Sequence, residues 1–124
     1  MGIPVINMSF GTLTDSKVLS EAIAYARNKG VLLVASAGND NTSTPQYPAA
    51  YAGVITVAST YLSDMKASFS NYGFNIVVDA PGVNIISAYP GGGYAMVSGT
   101  SFSAPKARLE KTLSFSGSSC FLLS

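Results

Sequence analysis

Two short stretches of this sequence carry residue types whose order suits acyl transfer. The first is Gly99-Thr100-Ser101-Phe102-Ser103-Ala104-Pro105. A glycine-led turn running straight into a helix exposes the side chain at its start and surrounds it with backbone N–H groups that have no helical acceptor. Ser101 at that point is a candidate nucleophile. The second is Ser36-Ala37-Gly38-Asn39-Asp40, where the Asn39 side-chain amide can donate to a developing oxyanion. Read singly, each stretch also has a plainer account: Ser101 caps the helix, and Asn39 closes an Asx-type turn. A base is missing, because the sequence holds no histidine. A mechanism that needs an imidazole has to import it from another chain or do without.

The elements that would hold these residues alternate along the chain. Ile3 to Phe10 reads as a buried strand ending at Gly11. Thr14-Asp15-Ser16 offers cap residues for a helix, and Val18, Leu19, Ala22, Ile23 and Ala26 fall at helical spacing on one face. Gly30 stands where a left-handed terminator belongs. Val31 to Ala35 is a continuous apolar run, as in a strand covered on both faces. Strand, helix and strand in that order form a parallel crossover unit. The polar segment from Ser36 to Pro48 then leaves the carboxyl end of the second strand, the edge where open α/β sheets bind ligands. Gly53 to Ala58 gives a third buried strand. Ala67 to Tyr72 is a polar turn region. Ile76-Val77-Val78 and Val83 to Ser87 read as shorter strands around a Pro81-Gly82 turn, and Tyr94 to Val97 as another strand. A helix starts near Ser101, with Pro105 in its first turns. The expected fold class is α/β, a partial doubly wound parallel sheet flanked by helices.

In this order the motifs resemble those of the subtilisin-like serine proteases, the subtilases. Gly99 to Pro105 is similar to their G-T-S-x-[AS]-[AS]-P nucleophile motif, and Ala37-Gly38-Asn39 to their A-G-N oxyanion segment. Val5 to Gly11 resembles the family strand that pairs with bound peptide, Tyr47-Pro48-Ala49-Ala50-Tyr51 the segment behind the P1 pocket, and Phe69 to Gly73 and Asp79 to Val83 the S-x-x-G and A-P-G stretches. The resemblance runs from about Val5 to Pro105. It implies half of a subtilisin-like catalytic domain over residues 1–105, with Ser101 as nucleophile and Asn39 as oxyanion donor. It implies Ser9, Phe10 and Gly11 as one wall of the P1 pocket and Ala35, Ser36, Ala37 and Gly38 as the other. It implies no cofactor beyond a weak calcium or monovalent cation site on the backbone of Ala49, Tyr51 and Val54.

The departures from the family are as specific. Subtilases take an Asp from a D-[ST]-G strand and a His from an H-G-T helix, both preceding the matching stretch, and neither occurs in these residues. Without the imidazole that takes and returns the serine proton, Ser101 is a poor nucleophile near neutral pH. Where the family continues after Ala-Pro with a small-residue apolar helix, this chain reads Lys106-Ala107-Arg108-Leu109-Glu110-Lys111. Residues 106–124 are expected to form a divergent helix, at best half buried, and a serine-rich tail, as after a frameshift, a junction or a truncated reading frame. Lys106, Lys66, Asp64, Asp40 and Asp79 are the remaining candidate bases. Lys106 lies about 140° round the helix from Ser101, and for each of the five a solvated surface charge is the better account.

Composition bounds the rest. Charged residues make up 10% of the 124 and hydrophobic residues 48%, against a usual charged share of about 25%. So apolar a small chain is expected to need a cover, either a second copy or the missing N-terminal half of the domain. A net charge of +1 without a concentrated basic face excludes a nucleic-acid footprint. No apolar run reaches the ~20 residues of a membrane span. The start, Met1-Gly2-Ile3-Pro4, lacks a signal-peptide pattern although the resembling family is mostly secreted. A single cysteine, Cys120, excludes an internal disulfide and leaves the compartment open. Two functional expectations follow. One is a serine hydrolase fragment with at most weak activity, on small esters more readily than on peptides. The other is an inactive fragment that self-associates or complements a missing half.

Overall fold

The computed structural model describes residues 3–113 and 120–123. Its strands are β1 (Val5–Met8), β2 (Leu32–Ser36), β3 (Val54–Thr60), β4 (Val78–Pro81), β5 (Ile85–Tyr89), β6 (Gly93–Val97) and β7 (Cys120–Leu123), with helices α1 (Lys17–Asn28) and α2 (Thr100–Leu113). Five strands form one sheet in the order β4-β3-β2-β1-β7, every pair parallel. β5 and β6 form a separate antiparallel ribbon.

Side chains alternate between the two faces of a strand, and here each face has its own core. Val5, Val34, Val57 and Ala80 pack on one side with Ala104 and Ala107 of α2. Met8, Leu33, Ala35 and Val54 pack on the other with Ile23 of α1. Burial of both faces explains the unbroken apolar run of β2, and it gives the expected half of a doubly wound sheet. Among the described residues no helix is long and apolar enough to cross a membrane.

The caps follow from local chemistry. The Ser16 hydroxyl accepts the N–H of Leu19 at the start of α1. At its end Gly30 takes a φ of +78°, which lets Gly30 N–H reach Arg27 O at 2.9 Å and Val31 N–H reach Ala26 O at 3.1 Å, the paired bonds of a Schellman terminator.

Two expectations need correction. The apolar face of α1 is narrower than the spacing implies: Leu19, Ile23 and Ala26 pack inward, whereas Val18 is 79% exposed, a turn position about 100° from Leu19. The strand expected at Ile76-Val77-Val78 lies later, at Val78–Pro81. As the edge strand of the sheet, β4 tolerates a proline that would break an interior ladder. The two strands expected after it are present and pair as the β5–β6 hairpin, with Ile85 opposite Val97 and Tyr89 opposite Gly93. Within the serine-rich tail, Cys120–Leu123 adds a strand to β1, Val5 opposite Cys120.

Candidate active site

β1 and β2 are parallel neighbours, so the chain leaves both at the same edge of the sheet, and the residues after them meet the first turn of α2. Thr100, fully buried, ties this junction together. Its hydroxyl donates to Asn39 Oδ1 at 2.9 Å, and its N–H donates to the same oxygen at 2.9 Å. The Gly38 N–H in turn donates to the Thr100 hydroxyl at 3.2 Å. Both lone pairs of the Asn39 carbonyl are therefore occupied, which fixes the amide plane. Its Nδ2 has no acceptor among the described residues and stands 3.6 Å from where a β-carbon on Gly99 would be. The structure thus ties Asn39 to Thr100, the residue before Ser101, with the amide nitrogen free among the described residues.

Ser101 is half-buried, and its Oγ donates to Ser9 O at 3.3 Å. The reverse contact is shorter: Ser9 Oγ donates to Ser101 O at 3.0 Å. The second bond has a covalent cause. In an α-helix the carbonyl of Ser101 would accept from the N–H of residue 105, but that residue is Pro105 and has none. Ser9 supplies the donor that proline removes. The N–H of Ser101, in the first turn of α2, has no helical acceptor either. The Ser101 hydroxyl, its own N–H and the Thr100-anchored Asn39 amide therefore gather at one helix start.

The base candidates do not join them. Lys66 donates to Asn41 Oδ1 at 2.9 Å, Ala67 O at 3.0 Å and Ser70 O at 3.1 Å, and it lies over the ring of Tyr72. Asp64 and Asp79 line a cavity of about 370 Å³ together with Lys66 and Asn71, away from Ser101. Asp40 accepts from Gln46 Nε2. Lys106 is half-buried and makes no hydrogen bond to Ser101. Among the described residues, Ser101 Oγ bonds to Ser9 O alone.

Ser9, Phe10 and Gly11 leave β1 at the edge, Phe10 40% exposed. Ala35, Ser36, Ala37 and Gly38 are buried, and the Ala37 and Gly38 carbonyls accept from Asn71 Nδ2 and Asn71 N, both at 3.0 Å. Between these two stretches sits a residue that no motif flags, Gln46. A β-carbon on Gly11 would come within 2.6 Å of Gln46 Oε1, and one on Gly38 would come equally close at 2.6 Å. Gly11 makes room for the Gln46 side chain and Gly38 for both Gln46 and Asn71; they are the signal that could have pointed to it.

The segment behind it is held at Tyr51. Its hydroxyl donates to Asp15 Oδ1 at 2.7 Å and accepts Ser16 N–H at 3.1 Å. Burial raises the Tyr51 pKa above its ordinary value, with Asp15 adding to the shift. Of the carbonyls named for a cation, Ala49 O accepts the Thr56 hydroxyl at 2.6 Å and Tyr51 O accepts Val54 N–H at 3.2 Å. Each already gives one lone pair to the chain itself.

The chain has counterparts in both sequence and fold. The sequence profile of the subtilase family matches residues 1–108. Thermitase from Thermoactinomyces vulgaris is 47% identical over 104 residues, 84% of this chain and 37% of thermitase. Subtilisin BL from Lederbergia lenta is 43% identical over 104 residues, 84% of this chain and 39% of that protein. Among solved structures, the prenylagaramide maturation protease PagA superposes with a TM-score of 0.79 at 35% identity, covering 83% of this chain and 40% of PagA. A cold adapted subtilisin-like serine proteinase does so at 0.78 and 40% identity, covering 85% of this chain and 38% of that one. The chain thus spans about two fifths of each of these four proteins. On these grounds it belongs to the subtilase family.

Proposed function

We propose that these residues carry the nucleophile and oxyanion half of a subtilase active site. Ser101 attacks an acyl carbon, and the oxyanion is received by Asn39 Nδ2 and the Ser101 N–H. The observation that supports this most is the double anchoring of Asn39 Oδ1 by Thr100 at 2.9 Å. An amide clamped through its oxygen and free at its nitrogen is preorganised to donate where charge develops, without reorienting during reaction. With no histidine in the sequence, the general base comes from residues outside these 124, in the same or in a second polypeptide. Alone, the half-site supports at most weak hydrolysis, of activated esters rather than peptides. An ester leaving group needs less protonation, and oxyanion stabilisation with binding retains roughly 10³–10⁴-fold acceleration in this family when a triad member is lost.

The test is hydrolysis of p-nitrophenyl esters and labelling by a fluorophosphonate, each compared with Ser101→Ala and Asn39→Ala. Loss of both signals in Ser101→Ala is expected, with a fall in turnover for Asn39→Ala approaching the roughly 10²–10³-fold known for such donors in subtilisin itself. Equal rates in all three proteins would sink the proposal.

A second reading, an inactive fragment that self-associates, draws on the ribbon face. Ile86, Tyr94 and Met96 are 73%, 81% and 67% exposed, and Ile86 and Met96 are directly opposite. Light scattering showing a monomer at micromolar concentration would rule it out.

A further inference from the structure

Asn7 is fully buried at the centre of β1, on the same face as Val5 and hence toward α2. Its Nδ2 donates to Ser9 Oγ at 2.9 Å, and Ser9 Oγ donates to Ser101 O at 3.0 Å. Its Oδ1 is buried without a hydrogen-bond partner among the described residues. A polar side chain in so apolar a place, half unsatisfied, is costly. That cost calls for a role.

The role follows from the direction of the bonds. A serine hydroxyl has a single proton to give. Ser9 spends it on Ser101 O only if it is not drawn elsewhere, and Asn7 ensures this by presenting an N–H to Ser9 Oγ instead of an acceptor. Turned over, the Asn7 amide would offer Oδ1, take the Ser9 proton and leave the Ser101 carbonyl bare, since Pro105 cannot supply the helical bond. We propose that Asn7 is a positioning residue for Ser101: its amide sets the polarity of the relay Asn7 Nδ2–H to Ser9 Oγ–H to Ser101 O, and so anchors the first turn of α2 at the nucleophile. The observed orientation leaves Oδ1 alone unpaired, whereas the reverse would strand both Nδ2 and the Ser101 carbonyl, so burial itself selects the orientation that anchors Ser101. The inference rests on Ser101 being the nucleophile, but its test does not.

The test reads the Ser101 carbonyl directly, by its ¹³C chemical shift in the full chain, in Ser9→Ala and in Asn7→Asp. Among the described side chains of β2 and α2, which pack beside β1, Lys106 alone is charged, and an introduced carboxyl titrates with its pKa raised by burial. Protonated, it can donate to Ser9 as the amide does; ionised, it is an acceptor only. Asn7→Asp is therefore expected to match the parent at low pH and to move to the Ser9→Ala position as pH rises through the carboxyl range, from about pH 3 to about pH 9. A Ser101 resonance that is the same in all three proteins at every pH overturns the proposal, as does an Asn7→Asp resonance that ignores pH. If the ionised variant unfolds, the low-pH comparison still decides: protonated Asn7→Asp must match the parent and Ser9→Ala must not. Fluorophosphonate labelling reports separately on the nucleophile, so shifts that behave as expected in a protein that never labels would keep the relay and remove the nucleophile.

Discussion

Gly82 O accepts the N–H of Gly99 at 2.8 Å, and nothing larger than glycine fits at position 82. A β-carbon there would lie 2.0 Å from Ser103 Oγ, 2.3 Å from Ser59 Oγ and 2.8 Å from Gly99 O. The two hydroxyls are buried and could rotate, but the Gly99 carbonyl is main chain and leads through Thr100 into Ser101. Gly82→Ala is therefore expected to shift the start of α2 and to destabilise the protein by about 1–3 kcal/mol, the range for overpacking a filled site. Denaturant unfolding measures this. A loss below about 0.5 kcal/mol, the scatter of neutral surface changes, would mean the loop yields freely.

Thr100 links Gly38 and Asn39 through its hydroxyl. Thr100→Val keeps the shape and deletes the hydroxyl, leaving the buried Gly38 N–H without the acceptor it has at 3.2 Å. That should cost about 1–3 kcal/mol. The Asn39 amide would keep one anchor of two, so ester turnover should fall along with stability. Thr100→Ser restores both, because it returns the hydroxyl and loses only a methyl group. A Val variant as stable and as active as the parent would show that the backbone alone holds Asn39.

Much of this site was legible in the sequence because its chemistry is local. Gly30 could be read as a terminator since only a left-handed residue closes α1, and Ser101 could be placed because a glycine-led turn into a helix has few other outcomes. The sheet's two-sided burial showed in the unbroken run Val31 to Ala35. Long-range consequences stayed hidden. Gln46 lies in a polar loop, and only the fold brings it between Gly11 and Gly38. Asn7 reads as one polar residue in an apolar strand, and its contact with Ser101 spans ninety-odd residues through Ser9. The strand at Cys120–Leu123 is four residues long and gains its partner only from β1, so neither period nor length announced it.

Tyr51 should make alkaline stability depend on pH in a definite sense. Its folded pKa is raised above the ordinary value of 10.0, first by burial. The folded protein thus holds this proton more tightly than the unfolded chain, so its contribution is complete below pH 10 and is lost as pH rises through the raised folded value. Tyr61 runs the other way: its pKa is lowered, chiefly by the Ser68 hydroxyl, so it adds stability as pH rises. Melting temperatures followed into the alkaline range should fall less steeply for Tyr51→Phe than for the parent, and more steeply for Tyr61→Phe. Parallel curves for all three would contradict both assignments.

Gln46 should govern which acyl groups reach Ser101. Its side chain occupies the space between Gly11 and Gly38 and is held there by donation to Asp40, so a substrate side chain entering between these walls meets an amide already in place. Small side chains fit above it and aromatic ones do not. Gln46→Ala empties the space and removes no group near Ser101. Burying an aromatic ring in the opened cleft is worth about 1.5–3 kcal/mol, which corresponds to roughly 10- to 100-fold in relative rate. Esters of N-acylated alanine and phenylalanine, compared in parent and variant, measure that ratio. The expected outcome is a shift toward phenylalanine with the alanine ester little changed. A ratio that stays constant would mean that substrate side chains do not enter between Gly11 and Gly38, and that the specificity pocket is formed elsewhere.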